Sequence, residues 1–251
     1  MRIWFVALAL LAQSIFFISP LVAQDSNLKD YYFPYSSFTN GVVYKYAVKD
    51  NPKEVIYWHM VAIPQESDTL LLTSIYDVDY TLVQRTTESI QMDGATLVRY
   101  VIYRFNPQTF RTDSVVAAIS ENHIYQWEAN TYPLEYGITH RQIYNRKNES
   151  SFQKRRELLE GIYPVLYKGK TVLCIKFRDK YTETLRLVGQ KSGVTTHFTQ
   201  EAFYGYGVGL VEYSRGDATG NKYNYRLVEV VSSESWYAGI RKTMMSTPHK
   251  N

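Results

Sequence analysis

Apolar and polar residues alternate along most of the chain. From Gly41 onward, Val42, Tyr44, Tyr46 and Val48 alternate with Lys45 and Lys49, the period-two pattern of a half-buried strand. Glu54 to Ile63 is apolar on both faces. Strand-like runs follow at Thr69–Tyr76, Thr81–Ile90, Thr96–Phe105, Ser114–Ile119 and His123–Glu128. A second set lies at Ile162–Tyr167, Lys170–Arg178, Tyr181–Val188, Thr195–Phe203, Val208–Ser214 and Lys222–Val231. Their separators carry turn chemistry: Asp50-Asn51-Pro52-Lys53, Asp93-Gly94, Asn106-Pro107, Glu121-Asn122, Lys168-Gly169, Ser192-Gly193 and Thr219-Gly220-Asn221. Short strands joined by such turns predict a meander rather than βαβ units. The expected fold is therefore mainly β, a single curved antiparallel sheet or half-barrel with one or two short helices.

The helices are expected in two places. Ser150-x-x-Gln153 has capping-box spacing, which predicts a helix to about Leu159. It lies in Tyr136 to Glu160, a stretch rich in Arg141, Arg146, Lys147, Lys154, Arg155 and Arg156. Such a stretch reads as a solvated connector, with peripheral contact of a basic helix with an anionic membrane as the sharper alternative. Ser232 to Lys242 reads as a closing helix bearing Trp236, Tyr237 and Ile240.

At the other end, Arg2 precedes the apolar run Ile3 to Ala12, and Ala23 precedes Gln24-Asp25. This is the layout of an export signal cleaved after Ala23. A retained membrane anchor is disfavoured because Gln13, Ser14, Ser19 and Pro20 interrupt the apolar stretch. A lipid-modified N-terminus is not expected, since no cysteine lies near the boundary. The reading is a signal peptide over 1–23, an antiparallel β domain over 24–242 and a disordered tail over 243–251. The mature chain is expected outside the cytoplasm, periplasmic or extracellular.

The most distinctive segment is Phe203-Tyr204-Gly205-Tyr206-Gly207-Val208-Gly209-Leu210-Val211-Glu212-Tyr213. If it is extended throughout, Tyr204, Tyr206, Val208 and Leu210 line one face, and three glycines leave the other bare. A bare strip lets backbone approach closely or lets the sheet bend. The run Tyr206 to Tyr213 resembles the glycine-rich late strand of uncharacterised exported β proteins, including the family of unknown function DUF3108. The opening Tyr32-Phe33-Pro34 with Gly41-Val42-Val43-Tyr44-Lys45-Tyr46 is similar to such proteins too. The resemblance implies a curved half-barrel like that of the periplasmic lipoprotein carriers LolA and LolB, with an apolar cavity and no catalytic residues to carry over.

Composition narrows the function classes. The 251 residues include 23 tyrosines and are 15% aromatic, which suits strands whose rings cover a pleated surface. The net charge of +4 is spread without a basic stripe or a recognisable module, so nucleic-acid binding is not expected. The single cysteine, Cys174, lies in the strand-like Val172-Leu173-Cys174-Ile175 and reads as a buried inert thiol. His59, His123, His140, His197 and His249 show no metal-ligand spacing. No nucleophile elbow or phosphate loop is present. Asp77-Val78-Asp79 reads as a turn, Arg215-Gly216-Asp217 as a hairpin loop, and Asn148-Glu149-Ser150 as a sequon without an assigned role. Neither catalytic residues nor metal ligands nor cofactors are expected.

The leading expectation is a non-catalytic envelope protein that binds a lipid or other apolar or amphiphilic ligand, or assists envelope assembly. Its inner face would be built by Trp58, Trp127, Tyr204, Tyr206 and Leu210. The alternatives are a structural or adhesive surface protein without a cavity, and a secreted hydrolase with a site assembled from scattered acids and histidines. A continuous pocket favours the first, a filled interior the second, and hydrogen-bonded carboxylates in a cleft the third.

Overall fold

A computed structural model describes residues 27–142, 147–216 and 221–246, with side chains to residue 242. The expected signal peptide, most of the expected 215–221 loop and the end of the expected tail lie outside these residues. Thirteen strands make up one antiparallel sheet: β1 (Val42–Val48), β2 (Asn51–Pro64), β3 (Thr69–Tyr76), β4 (Leu82–Ile90), β5 (Gly94–Asn106), β6 (Arg111–Val116), β7 (Ala118–Gln126), β8 (Leu134–Arg141), β9 (Asn148–Tyr167), β10 (Lys170–Leu187), β11 (Val194–Gly205), β12 (Gly209–Gly216) and β13 (Lys222–Ser232). Strands β6 and β7 are two parts of one run that pairs with β5. The ladder continues between them through the Ala117 N–H, which donates to Tyr100 O at 3.0 Å.

The expected meander is present, but it does not stop at a half-barrel. Strand β1 pairs with β13 from Val42↔Ser232 to Val48↔Tyr225, and β4 pairs with β5, so the sheet closes as a barrel of 12 strands. Closure removes the unpaired edges that an open sheet would leave. Ion pairs stud the outer surface, among them Arg155–Glu135 at 3.1 Å and Lys180–Glu157 at 2.7 Å.

The helix expected over Ser150 to Leu159 is instead the middle of β9, a 20-residue strand. Ser150, Phe152, Lys154 and Arg156 line the barrel cavity, while Gln153 and Arg155 between them are exposed. Both faces of this strand carry polar residues, so the apolar alternation that identifies strands is missing there. The capping-box spacing is only local chemistry, and pairing with β8 and β10 overrides it. The stretch expected as a connector also contains most of β8, from Tyr136 to Arg141. Strand β10 runs unbroken where the pattern had divided at Asp179-Lys180.

The segment before β1, from Asn27 to Asn40, folds across one end of the barrel as a plug, through short 3₁₀ turns at Leu28–Tyr31 and Tyr35–Ser37. Leu28, Tyr31, Tyr32, Phe33 and Phe38 are buried there. Each fully buried large apolar side chain contributes roughly 1.5–3 kcal/mol. The backbone of the plug is bonded to the barrel: Leu28 N–H donates to Trp127 O at 2.7 Å, Gly207 N–H to Asp30 O at 2.8 Å and Ala62 N–H to Phe38 O at 3.1 Å.

Helix α1 (Ser233–Ser246) follows β13 and runs past the Lys242 limit expected for it. It packs on the outside of the barrel, with Trp236 against Tyr57, Tyr76 and His59. Among the described residues no helix is long and apolar enough to cross a membrane.

Candidate functional site

Inward-facing side chains leave a cavity of about 600 Å³ inside the barrel. Tyr32 and Phe33 of the plug form its floor with Trp58 of β2, Tyr204 of β11 and Leu210 of β12. Ile75, Leu97, Ile124, Ile138 and Phe152 give apolar wall. Arg104, His140, Glu183 and Arg215 line it toward the end opposite the plug. Alternation places them all on one side of the sheet, because successive strand residues point to opposite faces.

Four charged side chains meet in this wall: Glu88 of β4, Lys154 and Arg156 of β9, and Asp179 of β10. Arg156 and Asp179 form a fork. Arg156 Nε donates to Asp179 Oδ1 at 2.7 Å and Nη2 donates to Oδ2 at 2.8 Å. Nη1 donates to Ile124 O at 3.2 Å, and the guanidinium lies over the Phe177 and Tyr204 rings at 5.0 and 5.6 Å. A paired, bidentate geometry of this kind is what a buried charge requires.

Burial raises the Asp179 carboxyl, but Arg156 and then Lys154 outweigh it and hold the pKa below the ordinary carboxylate range. Glu88 is the opposite case. Burial dominates and raises its pKa, although the Tyr32 hydroxyl donates to Oε2 and favours the charged form. Burial, reinforced by Arg156, lowers Lys154 to about 8. Its ammonium lies 3.9 Å from Asp179 Oδ2 and 5.0 Å from the centre of the Tyr136 ring.

Trp58, Tyr204 and Leu210 lie in the cavity wall, together with this charged group. Trp127 and Tyr206 do not. Trp127 is buried behind the plug, against Tyr32 and Tyr125, and its indole N–H donates to Gln91 O at 3.1 Å. Tyr206 is 60% exposed and stands edge-on to Tyr31. The glycine-rich segment is thus two strands rather than one. Gly207 (φ 67°) and Gly209 (φ 89°) take left-handed conformations in the turn joining β11 to β12, and the alternation breaks between them.

Glu88 and Asp179 went unnoticed in the sequence, and Lys154 and Arg156 were read there only as part of a solvated basic stretch. Cys174 is buried, and burial with Glu212 nearby pushes its thiol up to about 12. Asp77 accepts from the N–H groups of Asp79 and Thr81 in a turn, as expected. Among the described residues no three His, Cys, Asp or Glu side chains converge as a metal-binding group.

No family model and no curated protein matches the chain. Among solved structures, a candidate lipoprotein from Parabacteroides distasonis aligns with a TM-score of 0.51 and 16% identity, over 80% of this chain and 98% of that one. A candidate exported protein of YmcC-like fold from Bacteroides fragilis aligns with a TM-score of 0.45 and 11% identity, over 76% and 94%. The hypothetical lipoprotein YmcC from Escherichia coli gives 0.31 and 8%, over 78% and 88%. Of these, the first carries the fold and nothing finer: this chain shares the antiparallel β architecture of that Parabacteroides protein.

Proposed function

We propose that this protein is a non-catalytic exported protein of the envelope whose barrel receives an amphiphilic ligand. The observation that carries the reading is the cavity of about 600 Å³, whose aromatic and aliphatic wall holds a charged group. Pockets for small ligands are typically ~300–1,000 Å³, mostly apolar, with a few fixed polar groups. A barrel serving only as structure or adhesin would fill this space, because close-packed interiors are the norm.

Export rests on the N-terminal segment, where Arg2 precedes an apolar run and Ala23 precedes Gln24-Asp25. The test is native mass spectrometry of protein purified from its own envelope. A retained amphiphile that is lost on organic extraction supports the reading. Ligand-free protein that also fails to take up single-chain lipids in vitro would refute it.

A hydrolase remains the second reading, because the cavity holds one carboxylate raised by burial and another lowered by cations. Environments that separate two carboxyl pKa values are a feature of acid–base sites. Both oxygens of Asp179 are engaged by Arg156, which suits a structural ion more than a nucleophile. Release of product from a panel of ester and glycoside substrates, abolished by Glu88→Gln, would favour the enzyme.

A further inference from the structure

The cavity wall is not evenly satisfied. Arg156 directs Nε and Nη2 to Asp179 and Nη1 to Ile124 O. Asp179 accepts from Arg156 through both oxygens, and Tyr181 adds a longer contact at 3.4 Å. Glu88 accepts from Tyr32. Lys154 is different. Its ammonium carries three donor hydrogens, its side chain is 13% exposed, and it makes no hydrogen bond among the described residues. The Asp179 oxygen 3.9 Å away is beyond hydrogen-bond range and already taken. The groups facing it are Tyr136 of β8, Arg156 of its own strand, Asp179 and Tyr181 of β10, and Glu88 of β4. Of these, Tyr136 presents a ring face, and its hydroxyl makes no hydrogen bond among the described residues either.

The Lys154 ammonium faces the cavity, largely shielded from bulk water and with no acceptor in hydrogen-bond range; such a cation is costly, and the cost falls when an anion reaches it. From Lys154 the wall continues through Phe152, Ile138 and Leu97, which suits a hydrocarbon chain. We propose that the ligand is a single-chain amphiphile with an anionic head, carboxylate or phosphate, received by Lys154 with the chain lying along the apolar wall. This rests on the ligand-binding reading above and adds the charge of the head and the residue that meets it.

Calorimetric titration of delipidated full-length protein with palmitate, hexadecanol, hexadecyltrimethylammonium and sodium acetate separates the contributions. Wild-type protein is expected to bind palmitate at least about tenfold more tightly than hexadecanol, as a charge-assisted hydrogen bond requires, and to bind the cationic probe and acetate weakly. Lys154→Met should bring the palmitate and hexadecanol affinities to within about threefold of each other while leaving hexadecanol binding in place, and Lys154→Arg should keep the preference for palmitate. Equal binding of palmitate and hexadecanol by the wild type, which needs no variant to fold, overturns the assignment of the head and leaves the cavity reading standing. So does an undiminished preference in Lys154→Met, or tight binding of the cationic probe. Acetate binding as tightly as palmitate would make this a small-anion site and overturn the proposal. If none of the three tailed probes binds, the ligand-binding reading and this proposal fall together.

Discussion

The Arg156–Asp179 fork gives a quantitative test of how the barrel interior is held. The pair is bidentate at 2.7 and 2.8 Å, and the side chains are 8% and 4% exposed. With charge centres about 4 Å apart and an effective dielectric of about 20, their attraction is about 4 kcal/mol. Asp179→Asn removes the acid and leaves Arg156 and Lys154 as neighbouring buried cations, so the expected loss is about 3–5 kcal/mol. Arg156→Met leaves the acid with Lys154 3.9 Å away. That cation can move in, and the loss should be smaller.

The double variant Arg156→Met/Asp179→Leu removes both charges and should cost well under the sum, because neither is left uncompensated. Urea unfolding followed by tryptophan fluorescence measures each corner of the cycle. In a domain of this size a loss of 3–5 kcal/mol lowers Tm by roughly 6–20 °C. A double variant as costly as the two single variants added together, or an Asp179→Asn loss below about 1 kcal/mol, would refute the reasoning.

Three further outcomes can be checked with the same equipment. Lys154 has a folded pKa of about 8 against 10.5 unfolded, so between those values the unfolded chain binds more protons and stability rises with pH. Wild-type protein should therefore gain up to about 3 kcal/mol relative to Lys154→Met from pH 8 to pH 10.5, and a flat difference across that window would contradict it. Tyr46→Phe removes the donor to Leu210 O at 2.9 Å in a fully buried site and should cost about 1–2 kcal/mol in urea unfolding. Gly209→Ala would place a Cβ 2.6 Å from Phe33 Cδ1 and 3.1 Å from Phe33 Cα, pushing against the plug. Gly207→Ala, also at positive φ, meets nothing within 4 Å and should cost only the backbone strain of about 1–2 kcal/mol. Equal Tm losses for the two would show that the plug does not press on Gly209.

The strands that were legible in the sequence are those with alternation or an apolar run between turn residues. β3 was expected with its observed bounds from its apolar run, and β1 and β13 were close. The miss at β8 and β9 has a physical cause. A barrel that keeps Ser150, Lys154 and Arg156 inside puts polar residues on both faces, and the period-two signal of hydrophobicity disappears. Closure was invisible for a different reason, since the β1–β13 pairing joins Val42 to Ser232 and no local pattern encodes it. The glycine segment misled by its own regularity: three glycines spaced by two fit a continuous strand, but positive φ at Gly207 and Gly209 makes it a hairpin turn.

The miss at β8 and β9 and the candidate site have the same origin. Filling the barrel with leucine and valine would be the simplest way to stabilise it, and exchanging a buried ion pair for apolar residues is often neutral or favourable. This interior instead carries Glu88, Lys154, Arg156 and Asp179 on three strands, with a cavity beside them. Arg156 and Asp179 satisfy each other, so the fork can be accounted for as architecture. Lys154 is not satisfied in the same way, since among the described residues its ammonium makes no hydrogen bond and has only the 3.9 Å approach to Asp179. The cavity carries the proposed ligand-binding reading, and the Lys154 ammonium bears on the head group that such a ligand would present. A variant series at Lys154 therefore bears on function, whereas the same series at Arg156 bears on stability.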